Sequence, residues 1–191
     1  MNLLVWLRGL RQSVRAHLPA RPAENPELRF PIRRPVRIAL LQARFRTAPN
    51  IRSFSPEEIA WLPAWKPEAL VMPLNLALAV ADQKQRGLFA LPSLNTAIVV
   101  LTSTEDSPLA AHHRDLLWQA FGVPIFEQLL APGGHAIARE CEVHDGLHLD
   151  TDEPIYIDGE IVTDPCACGL DTPRLRSRTL IGAKAVAGGS H

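Results

Sequence analysis

Cysteine, glycine and long apolar runs are all scarce in this chain of 191 residues, and each shortage excludes something. Outside residues 141–168 there is no cysteine. Glycine is absent between Gly9 and Gly87, so that stretch holds no glycine-rich loop of the kind that binds phosphate groups. No apolar run is long enough to span a bilayer. The N-terminal apolar stretch is too short and too interrupted by Arg8 and Arg11 for a secretory signal, so we expect a cytoplasmic protein.

The charges are unevenly distributed although the formal net charge is zero. Residues 1–52 carry eleven arginines against Glu24 and Glu27, a net charge of +9, and residues 53–191 carry the compensating −9. Such a division is typical of a basic segment with an anionic partner, or of two parts that pack against each other. We favour the second interpretation because apolar runs interrupt the basic stretch.

Residues 139–175 contain the ligand types of a metal site. All three cysteines lie here, and two histidines, His144 and His148, follow the first of them. Three thiolates and one imidazole complete the tetrahedron that Zn²⁺ prefers and leave no open position, as in a structural site. We predict a structural zinc site formed by Cys141, His148, Cys166 and Cys168.

A predicted β-hairpin makes that grouping plausible. The alternation over residues 136–143 predicts a strand, residues 147–149 predict a second, and Asp145-Gly146 between them is a turn signal. The turn would fold His148 back toward Cys141, although His144 competes for the same place. The alternatives are two exposed loops with reduced thiols, or a disulfide, which needs an oxidising compartment.

The basic N-terminal region has two predicted parts. Residues 1–18 fit an amphipathic helix, and residues 19–35 contain five prolines and predict an extended arm. Such a helix could pack on its own domain or on a partner, or lie on a membrane surface. The arginines near Phe30 and Phe45 also leave nucleic-acid binding as a weaker alternative, without any recognisable motif.

The middle of the chain predicts an α/β core. A strand at residues 97–102, a helix from Ser107 to Phe121 and a strand at residues 123–126 form a β-α-β unit with parallel strands. Ligands bind beyond the carboxyl ends of such strands, where Glu105 and Glu127 are expected. The other predicted elements are a strand or short helix over 36–45, a helix from Ser55 to about Leu62, a strand at 69–72, and a helix from Leu74 to Arg86-Gly87.

These patterns together predict the organisation of the chain. We expect a basic helix and proline-rich arm at 1–52, a core at 53–178, and a tail at 179–191. The fold class is α/β: a partial parallel-sheet βαβ core followed by a small zinc-bound β subdomain, placed at 134–175.

The order of several short motifs resembles the phenylacetate–CoA ligase group of the adenylate-forming enzymes. The resemblance covers roughly residues 57–178 and depends most on the pair ECE…GLH and CxCG. Further matching pieces are WKPEALVMPLNLALAVAD, the β-α-β unit, and GEIVTD. It implies ATP-dependent acid–CoA ligase chemistry with Mg²⁺, and a zinc site at the same four residues, Cys141, His148, Cys166 and Cys168.

The departures from that family concern its catalytic parts. The phosphate-binding loop has no counterpart, and the Tyr-Gly…Thr-Glu motif is replaced by Phe126–Leu130. Of the ribose-binding stretch only Thr163-Asp164-Pro165 remains, and no counterpart of the lid domain with its catalytic lysine is found. ATP and Mg²⁺ therefore have no recognisable site. Were the chain active, Glu105, His113, Glu127 and Asp164 would be the candidate contacts, but their ordinary interpretation is a solvated strand end and helix cap.

Two classes of function follow from these observations. We expect a non-catalytic, zinc-stabilised relative of acyl- and aryl-CoA ligases that acts as a binding module for a protein partner, for a second copy of itself, or for a small acyl ligand. The alternative is an enzyme of the same family that another chain completes.

Overall fold

The computed structural model describes residues 28–29, 31–32, 34, 36–43, 45–150 and 159–178. The predicted helix over 1–18, most of the proline-rich arm and the tail from 179 onward lie outside these ranges.

The described residues form one mixed sheet of nine strands. In chain order the strands are β1 (Ile38–Leu41), β2 (Ile51–Phe54), β3 (Ala69–Pro73), β4 (Ala97–Ser103), β5 (Ile125–Leu130), β6 (Ala136–Glu140), β7 (Leu147–Leu149), β8 (Gly159–Val162) and β9 (Arg174–Arg178). Their order in the sheet is β2-β1-β3-β4-β5-β6-β7-β9-β8. The five strands from β2 to β5 are parallel, and every pairing from β5 onward is antiparallel.

Three α-helices cover one face of the parallel half, which we call the front face. They are α1 (Leu62–Trp65), α2 (Leu74–Gln85) and α3 (Ala111–Phe121), and a 3-10 helix (Ile59–Trp61) precedes α1. Leu76 and Val80 of α2 and Leu117 of α3 are fully buried against strand residues such as Leu70 and Ile98. Burying such side chains contributes roughly 1.5–3 kcal/mol each, so this cluster forms the main core. None of the described helices is long and apolar enough to cross a membrane.

The opposite face, the back face, is apolar across the parallel strands. Leu40, Val71, Val99 and Phe126 are almost fully buried there. Described side chains from outside the strands that pack on it include Leu28, Val36 and Phe45, and no residue of α1, α2 or α3 belongs to this cluster. Parallel sheets are normally covered on both faces, which explains why β3 and β4 read as continuous apolar runs.

The β-α-β prediction is confirmed in its pairing, since β4 and β5 are parallel, but the predicted start of its helix was wrong. The helix begins at Ala111 rather than at Ser107. Residues before it form a turn instead, in which the Asp106 carboxylate accepts a hydrogen bond from the Ser103 N–H at 2.8 Å. Gly122, with a φ of 67°, ends the helix as predicted.

The strand prediction at residues 123–126 was also wrong. β5 runs from Ile125 to Leu130, because its pairing with β4 continues as far as Ser103 and Leu130. Glu127 therefore lies inside a strand rather than beyond its carboxyl end. Leu116 of α3 points away from the core and is 45% exposed.

Two other predictions were partly correct. The segment 36–45 forms a strand rather than a helix, at Ile38–Leu41. At Ser55, where a helix start was predicted, the Ser55 N–H donates to the Glu58 carboxylate at 2.9 Å, as in a capping box. Helical structure nevertheless starts only at Ile59. It continues past the predicted end near Leu62 as far as Trp65, because Pro63 lies in the first turn of α1, where proline is tolerated.

The strands β6 to β9, which flank the three cysteines, continue the sheet through the antiparallel pairing of β5 with β6. The register places Gln128 beside Arg139, Arg139 beside His148, and His148 beside Arg174. Because side chains alternate between faces, these four share one side of the sheet. The back face therefore changes from apolar to polar at β5.

Gln128 differs from the other three residues of this row. Both polar atoms of its fully buried amide lack a hydrogen-bond partner within the described part of the chain. An unsatisfied buried polar group costs about 1–3 kcal/mol. We expect Gln128→Met, which keeps the length of the side chain, to raise the free energy of unfolding by about 1–2 kcal/mol in urea denaturation. Gln119→Met, at an exposed position of α3, should change it by less than about 0.5 kcal/mol. A loss of stability in Gln128→Met would show that the amide has a partner.

Candidate metal centre

Four potential ligand atoms meet at the end of the β6–β7 hairpin. The thiols of Cys141, Cys166 and Cys168 and the imidazole of His148 place one atom each within 4.8 Å of one another. Cys141 directly follows β6, His148 is the central residue of β7, and the two other cysteines lie in the loop between β8 and β9. The structure thus brings together the four residues that the sequence predicted, and the cluster could bind a metal ion.

The interatomic distances fit a tetrahedral ion with sulfur and nitrogen ligands. The sulfurs of Cys141 and Cys166 are 3.8 Å apart, and the Cys168 sulfur is 3.3 Å from His148 Nε2. With metal–sulfur bonds of about 2.3 Å, the edge of a tetrahedron between two sulfurs is about 3.8 Å. The loop geometry makes this possible because Gly169, with a φ of 82°, closes a turn by donating its N–H to the Cys166 carbonyl at 2.9 Å.

The other candidate histidine, His144, is held elsewhere. Its Nδ1 is 3.0 Å from a carboxylate oxygen of Glu140, and its ring stacks on Phe126 with the centroids 4.8 Å apart. Its positive φ of 56° turns the chain between β6 and β7. Of the two histidines that the sequence left open, His148 is the one that lies beside the three cysteines.

His148 is fixed in orientation by a second hydrogen bond. It is fully buried, and its Nδ1 is 2.9 Å from the Thr172 hydroxyl, which leaves Nε2 directed at the sulfurs. Desolvation by burial lowers the pKa of His148, so the ring is held in the neutral form that a metal ion needs.

The thiols differ in proton affinity. Burial raises the pKa of Cys141 to about 12. Burial also acts to raise the pKa of Cys166, but hydrogen bonds from Cys168 and Cys141 and the charge of Arg174 outweigh it and lower that pKa. Since metal ions bind thiolates, occupation of this cluster would release protons.

The hydrogen bond that His148 makes with the Thr172 hydroxyl gives a direct test of what orients the imidazole ring. Partners of metal-bound histidines typically contribute 10–100-fold in metal affinity. We expect Thr172→Val to weaken metal binding by about that factor in competition titrations with a chromogenic chelator. Thr163→Val, at an exposed position of the same loop region, should leave the affinity unchanged. Equal affinities for the two variants would mean that the hydroxyl does not orient the ring.

Arg174 joins the two loops that carry the ligands. Its guanidinium is almost fully buried and makes ion pairs with Asp145, in the hairpin loop, and with Asp164, at 2.8 Å, in the loop before Cys166. Arg176 adds two contacts of 3.0 Å to Asp145. Hydrogen bonds from Arg176 and Arg174 lower the pKa of Asp145, so this carboxylate stabilises the fold above its unfolded pKa and loses that effect as the pH falls through the folded value.

Arg174 was not identified from the sequence. Asp164, which was predicted as a cofactor contact, forms an ion pair with Arg174. Glu105, the second predicted cofactor contact, is exposed in the turn after β4, where its N–H donates to the Ser103 hydroxyl. His113, in α3, lies with its ring 3.9 Å from that of His112, and desolvation and His112 lower its pKa. Glu105, His113 and Asp164 therefore lie in three different parts of the described structure.

Glu127, the third predicted cofactor contact, belongs to a buried charged group. Its carboxylate accepts hydrogen bonds from the Thr102 hydroxyl at 2.7 Å and from the Leu109 N–H at 3.4 Å. Its own N–H donates to the Glu140 carboxylate at 2.8 Å. Arg114 of α3 lies between the two acids, 3.0 Å from Glu140 and 3.8 Å from Glu127. Because both carboxylates are at least nine-tenths buried, Arg114 is the guanidinium that compensates them.

This group forms the floor of a cavity of about 560 Å³, which we call the α3 cleft. It lies between α3 and the strands β5, β6 and β9, and its walls include Leu109, Trp118, Ile125, Leu147 and Arg176. A volume of that size falls in the range of small-molecule sites.

Comparison with solved structures shows the fold. The chain is similar to a 2-hydroxyisobutyryl-CoA ligase in an open conformation with 2-HIB-AMP and CoA, with a TM-score of 0.57 and 14% identity over 75% of this chain and 44% of the ligase. The same ligase in its thioesterification state gives a TM-score of 0.56 and 15% identity, over 75% and 43%. This chain therefore spans less than half the length of the ligases it resembles. No family model matches the chain, and no curated protein does.

Proposed function

We propose that this chain is a zinc-stabilised, non-catalytic relative of the acyl-CoA ligases and acts as a binding module. The observation that carries the proposal is the closed set of three cysteines and one histidine within 4.8 Å. Its donors are sulfur and imidazole nitrogen only, which suits zinc, and four protein ligands leave no position for a substrate. The metal then holds β6, β7 and the loop before β9 in place.

The lack of catalysis is supported by the course of β5. Residues Phe126–Leu130 stand where the phenylacetate–CoA ligase resemblance implies an adenine- and magnesium-binding loop. Here they form a strand paired on both sides, and Glu127 is held by Thr102 and Leu109. Backbone groups used in a sheet are not available to a nucleotide. The assignment to the phenylacetate group depends on the motif order and is part of the proposal.

A second candidate function is an acid–CoA ligase that another chain completes. It is favoured by the coverage of the solved ligases, because the matched part is under half of their length. Adenylation requires the triphosphate, Mg²⁺ and a cationic group held together, and the remaining parts would have to come from elsewhere.

One preparation tests both candidates. Elemental analysis of the purified chain should give about one zinc per chain, and calorimetry with ATP and Mg²⁺ should show no binding. Mg²⁺-dependent ATP binding would contradict the non-catalytic proposal, and acid-dependent release of pyrophosphate would then support the second candidate. Absence of zinc, with the fold intact, would contradict the structural metal.

A further inference from the structure

The three cysteines of the metal cluster differ in their access to solvent. Cys141 and Cys166 are only 2% and 6% exposed, whereas Cys168 is partly exposed. The chain neighbours of Cys168, which are Ala167 and Gly169, are both exposed and too small to cover its sulfur. A small reagent in solution therefore reaches the sulfur of Cys168 more easily than the other two sulfurs.

The three sulfurs are also close enough to react with one another. All three are free thiols, and together with a ring nitrogen of His148 they lie within 4.8 Å of one another. The two buried sulfurs, of Cys141 and Cys166, are 3.8 Å apart. A disulfide bond is about 2.05 Å long, so a movement of at most about 2.8 Å joins any two of the three sulfurs.

The stretches that carry the cysteines are held together by contacts that need no ion. The buried guanidinium of Arg174 pairs with Asp145, in the hairpin loop after Cys141, and with Asp164, two residues before Cys166. These ion pairs contain no sulfur, so oxidation of the thiols leaves them in place. The cysteines consequently stay near one another when a ligand sulfur is oxidised.

We propose that the cluster is a peroxide-sensitive switch, in which a hydroperoxide oxidises Cys168 and zinc is released as a disulfide forms between Cys168 and one of the two buried cysteines. This inference rests on the proposed zinc site and adds a means of regulating it. Cysteines that bind zinc are thiolates, and the thiolate is the form of cysteine that reacts with peroxides.

The reaction consists of two steps on sulfur. The Cys168 sulfur attacks one oxygen of the peroxide, the O–O bond breaks, and the sulfur becomes a sulfenic acid while one water leaves. The sulfur of a buried cysteine then attacks the Cys168 sulfur, the S–O bond breaks, and a second water leaves. Two thiolates lose two electrons in total, and hydrogen peroxide takes up these electrons and two protons from solvent. His148 and one cysteine remain as ligands, two fewer than a structural zinc site needs.

Hydrogen peroxide, added to the full zinc-loaded chain in portions below one equivalent, tests the proposal. A chromogenic chelator should detect about one zinc released for each disulfide formed. Dimedone, which traps sulfenic acids, should label Cys168, and peptide mapping without reductant should find Cys168 in the disulfide. A first label on Cys141 or Cys166, a disulfide between those two, or oxidation without zinc release would overturn the proposal.

Two histidine variants provide a matched comparison. Cys168→His keeps four zinc ligands, as in sites with two cysteines and two histidines, but removes the exposed sulfur. Peroxide should release its zinc at least about tenfold more slowly, because the two remaining sulfurs are buried. Cys166→His also keeps four ligands and retains Cys168, so its rate should stay within about threefold of that of the unaltered chain. Equal rates in the two variants would contradict the role of Cys168, and the dimedone label on the unaltered chain decides if a variant fails to bind zinc.

The zinc content before peroxide is added separates this inference from the proposed function. A protein that holds zinc and keeps it in peroxide overturns only the switch. A protein without zinc overturns the structural metal, and the switch with it. Dithiothreitol and added zinc should restore the original zinc content of the oxidised protein. Irreversible loss would show that oxidation passes beyond the disulfide and would also overturn the switch.

Discussion

Removal of the proposed structural zinc should lower the melting temperature by at least about 10–20 °C. Structural zinc contributes on the order of 10–16 kcal/mol of apparent binding energy in small zinc domains, and this energy is folding energy. Even about 5 kcal/mol shifts the melting temperature by 10–20 °C in a chain of this size. The four potential ligands come from three separate stretches of the chain: after β6, in β7 and before β9. Loss of the ion would therefore remove a stabilising bond from all three stretches at once. Circular dichroism melting with and without a strong chelator measures the effect.

Two histidine variants provide the control for chelation. His148→Gln removes one of the four ligands and should lower the melting temperature by an amount comparable to the chelator. His135→Gln replaces an exposed histidine just before β6 and should leave the melting temperature nearly unchanged. Chelator should have little further effect on His148→Gln. Identical melting of the two variants would show that the cluster does not hold a structural metal.

Replacement of Arg114 should be the next most damaging change. Arg114→Met keeps much of the side chain but removes the guanidinium that lies 3.0 Å from Glu140 and 3.8 Å from Glu127, two carboxylates in a nearly water-free setting. Breaking a buried ion pair from one side costs about 3–5 kcal/mol. Urea denaturation at neutral pH should show a loss of that size. Arg86→Met removes an exposed arginine paired with Asp82 at 3.0 Å and should cost less than about 1 kcal/mol.

A double variant separates the lost charge from the lost packing. Glu140→Gln in the Arg114→Met background removes one of the two buried carboxylate charges and should recover about 1–3 kcal/mol. If the double variant is less stable than Arg114→Met by the full cost of Glu140→Gln alone, the two residues are not coupled.

The cluster of potential metal ligands was predictable because its chemistry depends on the residue types themselves. Cysteine occurs only there, and Asp145-Gly146 signals the hairpin that brings His148 to Cys141. What the sequence did not decide was the choice between His144 and His148. That choice depends on Glu140 and Phe126, which hold His144 through contacts that no local pattern encodes.

The floor of the α3 cleft was not predictable in the same way. Arg114, Glu127 and Glu140 belong to a helix and two strands, and they meet only through the antiparallel register of β5 and β6. A sequence fixes such a register through the pattern of buried side chains, and a buried charged pair interrupts that pattern. Glu127 consequently resembled a polar strand end, and β5 was predicted too short.

The helix boundaries failed for a related reason. Ser107-Pro108 has the local signature of a helix start, but the Leu109 N–H is engaged by Glu127 from a distant strand. Ala110 has the extended backbone of an N-cap, with a ψ of 155°, so α3 starts only at Ala111. In contrast, Gly122 ends the same helix as predicted, because the left-handed conformation at that position depends on the glycine alone.

Because β5 pairs directly with β6, loss of the proposed zinc would favour aggregation as well as lower stability. If β6 to β9 detach, β5 becomes the edge of the parallel sheet, and its sequence, IFEQLL, is apolar at four of six positions. An exposed edge of this kind presents unpaired N–H and C=O groups to any other strand. The strands β6 to β9 thus also protect β5 from association with other chains. Metal-free protein should therefore precipitate on heating rather than refold.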